Sequence, residues 1–124
     1  MSQLIAVGLG GFIGATSRYL LAMLILNNYA KSFPIHTLII NFWGCFLFGY
    51  FVNHNFIINS NLPVKEFLLI GILGGFTTFS TFGFEFISLI QKGNQQTAIY
   101  YIIISLFLGG LAIILGLYLN RIYS

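Results

Sequence analysis

Gly71-Ile72-Leu73-Gly74-Gly75-Phe76-Thr77-Thr78-Phe79-Ser80-Thr81-Phe82 sets three glycines and four hydroxyls midway along an otherwise apolar run. Lipid holds no water to satisfy a freed backbone, so an interrupted helix there needs surrounding protein or a wet cavity. Interrupted spans commonly build ion and substrate sites. The stretch therefore predicts a membrane helix that breaks near the bilayer centre, with a binding or permeation site at the break.

The rest of the chain fits that setting. Of its 124 residues 58% are hydrophobic, with only five basic and two acidic side chains. Such a composition belongs to a membrane protein. Four apolar stretches are readable, at 3–26, 36–53, 67–90 and 98–119. Each approaches the ~20 residues that cross a bilayer as a helix. The first stretch has no Lys or Arg before Arg18 and no clear small-residue cleavage site. It reads as a retained span and not a signal peptide. The connections 27–35, 54–66 and 91–97 are too short to hold a soluble domain, so residues 1–124 form one membrane domain.

Charge excludes some functions and suggests an assembly. The net charge of +3 is scattered, without the basic patch that nucleic-acid binding needs. With four spans, the termini and the middle connection lie on one side and carry Lys65 and Arg121. The other two connections carry Lys31 and Lys92. Two against two gives almost no positive-inside bias. A chain without bias can insert both ways, and two copies can then pair antiparallel. Small residues four apart let membrane helices pack closely: Gly10 and Gly14, Ser105 and Gly109, Ala112 and Gly116.

Candidate site residues lie in three spans. Thr37, Asn41, Cys45 and Gly49 recur every four residues, one small or polar face of a helix. The Asn41 amide either donates to an anion or joins two helices. Phe79 and Phe82 lie three apart and share a face, amid the hydroxyls of Thr77, Thr78, Ser80 and Thr81. Rings presented edge-on attract an anion and rings presented face-on attract a cation. Tyr101 and Ser105 extend the hydroxyl donors, whereas Tyr100, Tyr118 and Tyr123 suit an interfacial belt. Arg18 either snorkels or faces a water-filled vestibule. Glu85 lies one turn beyond the break, toward the mouth of the site.

Lone Cys45 can form neither a disulfide framework nor a thiolate metal cluster, and His36 and His54 lie at opposite ends of the second span. No carboxylate pair and no nucleophile with a base is visible, so enzyme chemistry has no seat. A channel or carrier does. A proton-coupled exporter of the small multidrug type also has four spans, but it needs a carboxylate deep in the first. Here that span has none. A structural subunit whose glycines merely pack a larger complex is the non-transport alternative.

Taken together, these motifs resemble those of the Fluc (CrcB) fluoride channels. The resemblance runs through Gly10-Gly11-Phe12-Ile13-Gly14-Ala15 with Arg18-Tyr19, then Asn41-Phe42-Trp43-Gly44-Cys45-Phe46 with Gly49, then Gly74 to Phe82. It implies an antiparallel, dual-topology homodimer of four-helix subunits in the cell membrane of a prokaryote. It implies two narrow pores through which cytoplasmic fluoride leaves passively, protecting the cell. Phe79, Phe82, Asn41, Ser80, Thr81, Tyr101 and Ser105 would line the pore, with Arg18 near the vestibule. A structural sodium ion would sit on the dimer axis, held by the carbonyls of Gly74 and Thr77 from each copy. Gly109, one turn beyond Ser105, departs from the pattern, which leaves the length of the polar track open.

Overall fold

The computed structural model describes residues 1–28 and 33–123, and among them the regular structure is all helical. Helix α1 runs Ser2–Asn28, α2 Ile35–Phe51 and the short α3 Asn55–Ile58. A π-helical segment, Glu66–Leu73, leads into the single turn α4, Gly74–Phe76. Then come α5, Phe79–Gln91, and α6, Gln95–Tyr123. Three helical runs, Ser2–Asn27, Glu66–Gln91 and Gln95–Tyr123, are long and apolar enough to cross a membrane. The apolar α2 is shorter, at 17 residues. Lys31, one of the charges counted for orientation, lies outside the described residues.

The start of α6 comes three residues earlier than hydropathy placed it, and the turn before it explains why. Gly93 takes φ 79°, the left-handed conformation that glycine adopts without a Cβ penalty. There it donates to the Ile90 carbonyl while Asn94 N–H reaches back to Leu89. This is the double closure that ends many helices. Asn94 then accepts the first bond of α6 from Ala98 N–H. The polar Gln95-Gln96-Thr97 is therefore already helix.

The apolar run Glu66–Gln91 breaks where the sequence predicts. Thr77 (ψ 155°) and Thr78 (ψ 120°) are both extended, so the helix that ends at Phe76 restarts at Phe79. The π winding upstream was not foreseen, because an almost wholly apolar segment has no amphipathic period to betray its pitch. Where the segment meets α4, Gly74 N–H still reaches the Leu69 carbonyl five residues back.

Packing comes in two parallel pairs. The pairing of α1 with the third span depends on glycine. A Cβ at Gly10 would strike the Phe67 carbonyl, and one at Gly14 the Ile72 carbonyl. Both chains advance together, so Arg18, one turn beyond Gly14, comes level with the break. The second pair is α2 with α6, where a Cβ at Gly49 would strike Ile113 and one at Gly116 would strike Phe46. Cys45 lies beside Gly109 in the same register. One turn at a time, that register sets Asn41 beside Ser105 and Thr37 beside Tyr101.

Candidate functional site

Asn41 closes the break with two reciprocal bonds. Its Nδ2 donates to the Thr78 carbonyl at 3.0 Å, and Thr78 N–H donates to its Oδ1 at 2.8 Å. The extended residue thus loses its helical partners and regains both from one amide. The two bonds occupy one amide hydrogen and one lone pair, leaving a second hydrogen to donate. Asn41 therefore joins two helices, and its remaining N–H belongs to a residue that lines an open groove.

The hydroxyls around the break are organised by Thr78. Its Oγ1 accepts from Thr81 N–H at 3.2 Å, capping α5. The same oxygen donates to Thr81 Oγ1 at 3.0 Å and lies 3.4 Å from Ser80 Oγ. Thr77 Oγ1 turns back to the Leu73 carbonyl. Ser80 and Thr81 thus sit on the first turn of α5, clustered on Thr78.

The groove, about 310 Å³, runs beside this cluster. Asn41, Phe42, Thr78, Phe79, Phe82 and Ser105 are among its walls. Phe79 and Phe82 share a face as predicted, with ring centroids 5.7 Å apart and planes tilted by 46°. Their environments differ sharply: Phe82 is 7% exposed and Phe79 is 80% exposed. The Ser105 oxygen is buried, with no hydrogen-bond partner among the described residues. Ser105 lines the groove, and an unmet buried hydroxyl calls for a partner.

Beyond Phe82 the polar line continues to Glu85. Tyr101 is fully buried between Phe82 and Phe33, with centroids 5.2 and 5.5 Å away. Its hydroxyl donates to Glu85 Oε2 at 2.7 Å. Thr37 Oγ1 donates to Glu85 Oε1 at 2.9 Å. His36 Nε2 stands 3.0 Å from the same oxygen. The carboxylate is therefore a hub for three side chains from two helices. Sequence reading left Glu85 unpartnered and weighed His36 only as a metal ligand. The available signal was physical: a carboxylate within a span must be paired or hydrogen-bonded.

At the start of α4, where the π-helical segment ends, Gly74 is exposed, and a Cβ there would meet only the Leu69 carbonyl. The helical donor to its carbonyl would be Thr78 N–H, which has gone to Asn41. Its oxygen is thereby released, beside the extended backbone of Thr77. Arg18 is partly buried in α1 at that level.

A family model described as CrcB-like protein, Camphor Resistance (CrcB), matches residues 5–117. The chain belongs to the CrcB family. Among similar members, one from Clostridium perfringens is 43% identical over 94% of this chain and 91% of its own length. Another, from Chloroflexus aurantiacus, is 39% identical over 98% and 97%. A third, from Azobacteroides pseudotrichonymphae, is 36% identical over 99% of each. All three carry the name fluoride-specific ion channel FluC. The CrcB match includes both halves of the broken span, and the long apolar helices make this member a multi-pass membrane protein.

Proposed function

We propose that this CrcB-family chain is a fluoride-selective channel and not an enzyme, and that it releases cytoplasmic fluoride passively and so protects the cell. The observation that carries the reading is the groove at the break, walled by phenyl rings, an amide and hydroxyls, with no cation among the described residues that line it. Its near full-length relatives named as fluoride-specific channels support the same ion. Fluoride is small and strongly hydrated, so a pore must replace its water while binding weakly enough to release it. Ring edges carry partial positive charge. With the spare Asn41 hydrogen and the Ser105 hydroxyl, they provide donors without trapping the ion. Ser80 and Thr81 serve the path through Thr78, whose position they fix. Tyr101 continues the path toward Glu85, and Arg18 draws anions into a vestibule.

In this reading the whole chain is one membrane domain, with α2 as the fourth crossing. Its 17 residues reach the lower limit of a span. Two identical subunits associate antiparallel in the lipid of a bacterial cell membrane, forming two pores. The balanced charges support that arrangement, and so does Phe79, whose exposed ring lacks cover in one copy. The released Gly74 carbonyl and the extended Thr77 backbone fit a sodium ion, since unwound carbonyls at a half-helix C-terminus suit such cations. When bound, that ion would offset opposed carbonyl dipoles and join the subunits. The first span contains no carboxylate for a multidrug-type exporter.

A bacterium deleted for its own fluoride channel tests this reading. Expression of this chain is expected to restore growth in millimolar fluoride at acidic pH, where neutral HF enters. Normal membrane insertion without any rescue would count against it.

A further inference from the structure

On the far side of the Tyr101–Glu85 bond from Phe82 lies a second cavity, about 220 Å³, whose walls include Phe33, His36, Phe84, Glu85, Ser88 and Lys92. A carboxylate at one end of an anion path is a barrier, because like charges repel most strongly where water is scarce. Thr37 and Tyr101 donate hydrogen bonds to Glu85 but bring no charge. His36 can bring one. Its Nε2 is 3.0 Å from Glu85 Oε1, and both side chains stay partly open to the cavity.

We propose that His36 is a positioning residue of the permeation path, whose protonation neutralises Glu85 and opens the second mouth to anions. The inference rests on the fluoride-channel reading and assigns a residue that the reading does not use. Among the described residues, the charged or titratable groups around the pair are few. Glu85 and Lys92 come from α5 and its C-terminus, and Tyr101 from α6. From α1 the cavity receives, among the described residues, the apolar Leu26. Lys31 lies outside the described residues. Lys92 lines the same cavity and supplies it with a basic side chain that attracts anions. Among these groups, His36 has the side-chain type that changes charge between about pH 5 and 8.

The sign follows directly. In acid, imidazolium beside carboxylate gives a neutral pair, and an anion approaching from the Lys92 side meets net positive charge. In base, imidazole beside carboxylate leaves Glu85 uncompensated, and the same anion is repelled. Fluoride flux is therefore expected to rise as pH falls, apart from HF leak through the lipid.

The experiment is fluoride-electrode efflux from vesicles at symmetrical pH, with the leak of protein-free vesicles subtracted at each point. The unmodified channel is expected to pass about threefold more fluoride at about pH 5.5 than at about pH 7.5. In His36→Gln that ratio falls to near one. In His36→Lys it also falls to near one, but flux at the higher pH exceeds that of His36→Gln. A merely structural histidine would leave the ratio in place in any variant that conducts. The wild-type ratio persisting in His36→Gln overturns the inference, as does a ratio of one in the unmodified channel. Should either variant fail to assemble, the His36 imidazole can be titrated by NMR in the unmodified protein and in Glu85→Gln. Identical titration in both would equally overturn the coupling. Absence of fluoride flux from the unmodified protein at every pH would reject the channel reading and His36's part with it.

Discussion

Replacing Phe79 by isoleucine is expected to lower fluoride flux by ~100-fold, equal to ~2.7 kcal/mol on the barrier. Phe79 is four-fifths exposed in the single chain, so its loss leaves the subunit's own packing intact. Isoleucine keeps apolar bulk and removes only the ring and its electropositive rim. Phe82→Ile is expected to show a similar fall, with an added stability loss of about 1–2 kcal/mol from its buried site. Phe82 touches both Phe79 and Tyr101, so its removal also loosens the ring that carries the bond to Glu85. Efflux and thermal unfolding measured on the same preparations separate the two effects. Unchanged flux in both variants would remove ring edges from the conduction path.

The second large effect is expected at Asn41. In Asn41→Leu both Thr78 backbone groups lose their partner, and each buried orphan costs about 1–3 kcal/mol. The variant is expected to lose folded protein before flux can be measured. Asn41→Asp is the sharper probe. It keeps an acceptor for Thr78 N–H, faces the Thr78 carbonyl with a second oxygen, and sets a negative charge on the groove. Flux is expected to fall by more than ~100-fold, because that charge opposes any anion at the narrow point. Asn41→Asp that assembles normally and still conducts at the original rate would show that the groove is not the path.

These expectations draw on features of unequal legibility in the sequence. The broken span was readable because Thr77-Thr78 and three glycines violate what an uninterrupted lipid-facing helix tolerates. The ends of the long helices lie within four residues of the apolar stretches, the largest difference being at Tyr123, where hydropathy fades before the helix does. The four-residue period of Thr37, Asn41, Cys45 and Gly49 was legible as a face, but not as a face divided between neighbours. Thr37 reaches Glu85 and Asn41 reaches Thr78 on the third span, while Gly49 packs on α6.

What stayed hidden is tertiary. His36 and Glu85 are 49 positions apart, and no spacing rule connects them. Only the parallel pairing of α2 with α6, fixed by Gly49 and Gly116, brings Thr37 and Tyr101 to one carboxylate. Asn41 was open to two readings because a primary amide has more hydrogen-bonding capacity than either role uses. The reciprocal bonds to Thr78 join the helices with one of its two amide hydrogens and one oxygen lone pair.

The most direct test of the central claim is ion release from vesicles containing only this polypeptide, followed in parallel by fluoride and chloride electrodes. With a potassium ionophore balancing charge, fluoride is expected to leave rapidly while chloride stays inside. Retention of fluoride, or release of both halides at similar rates, would contradict the account.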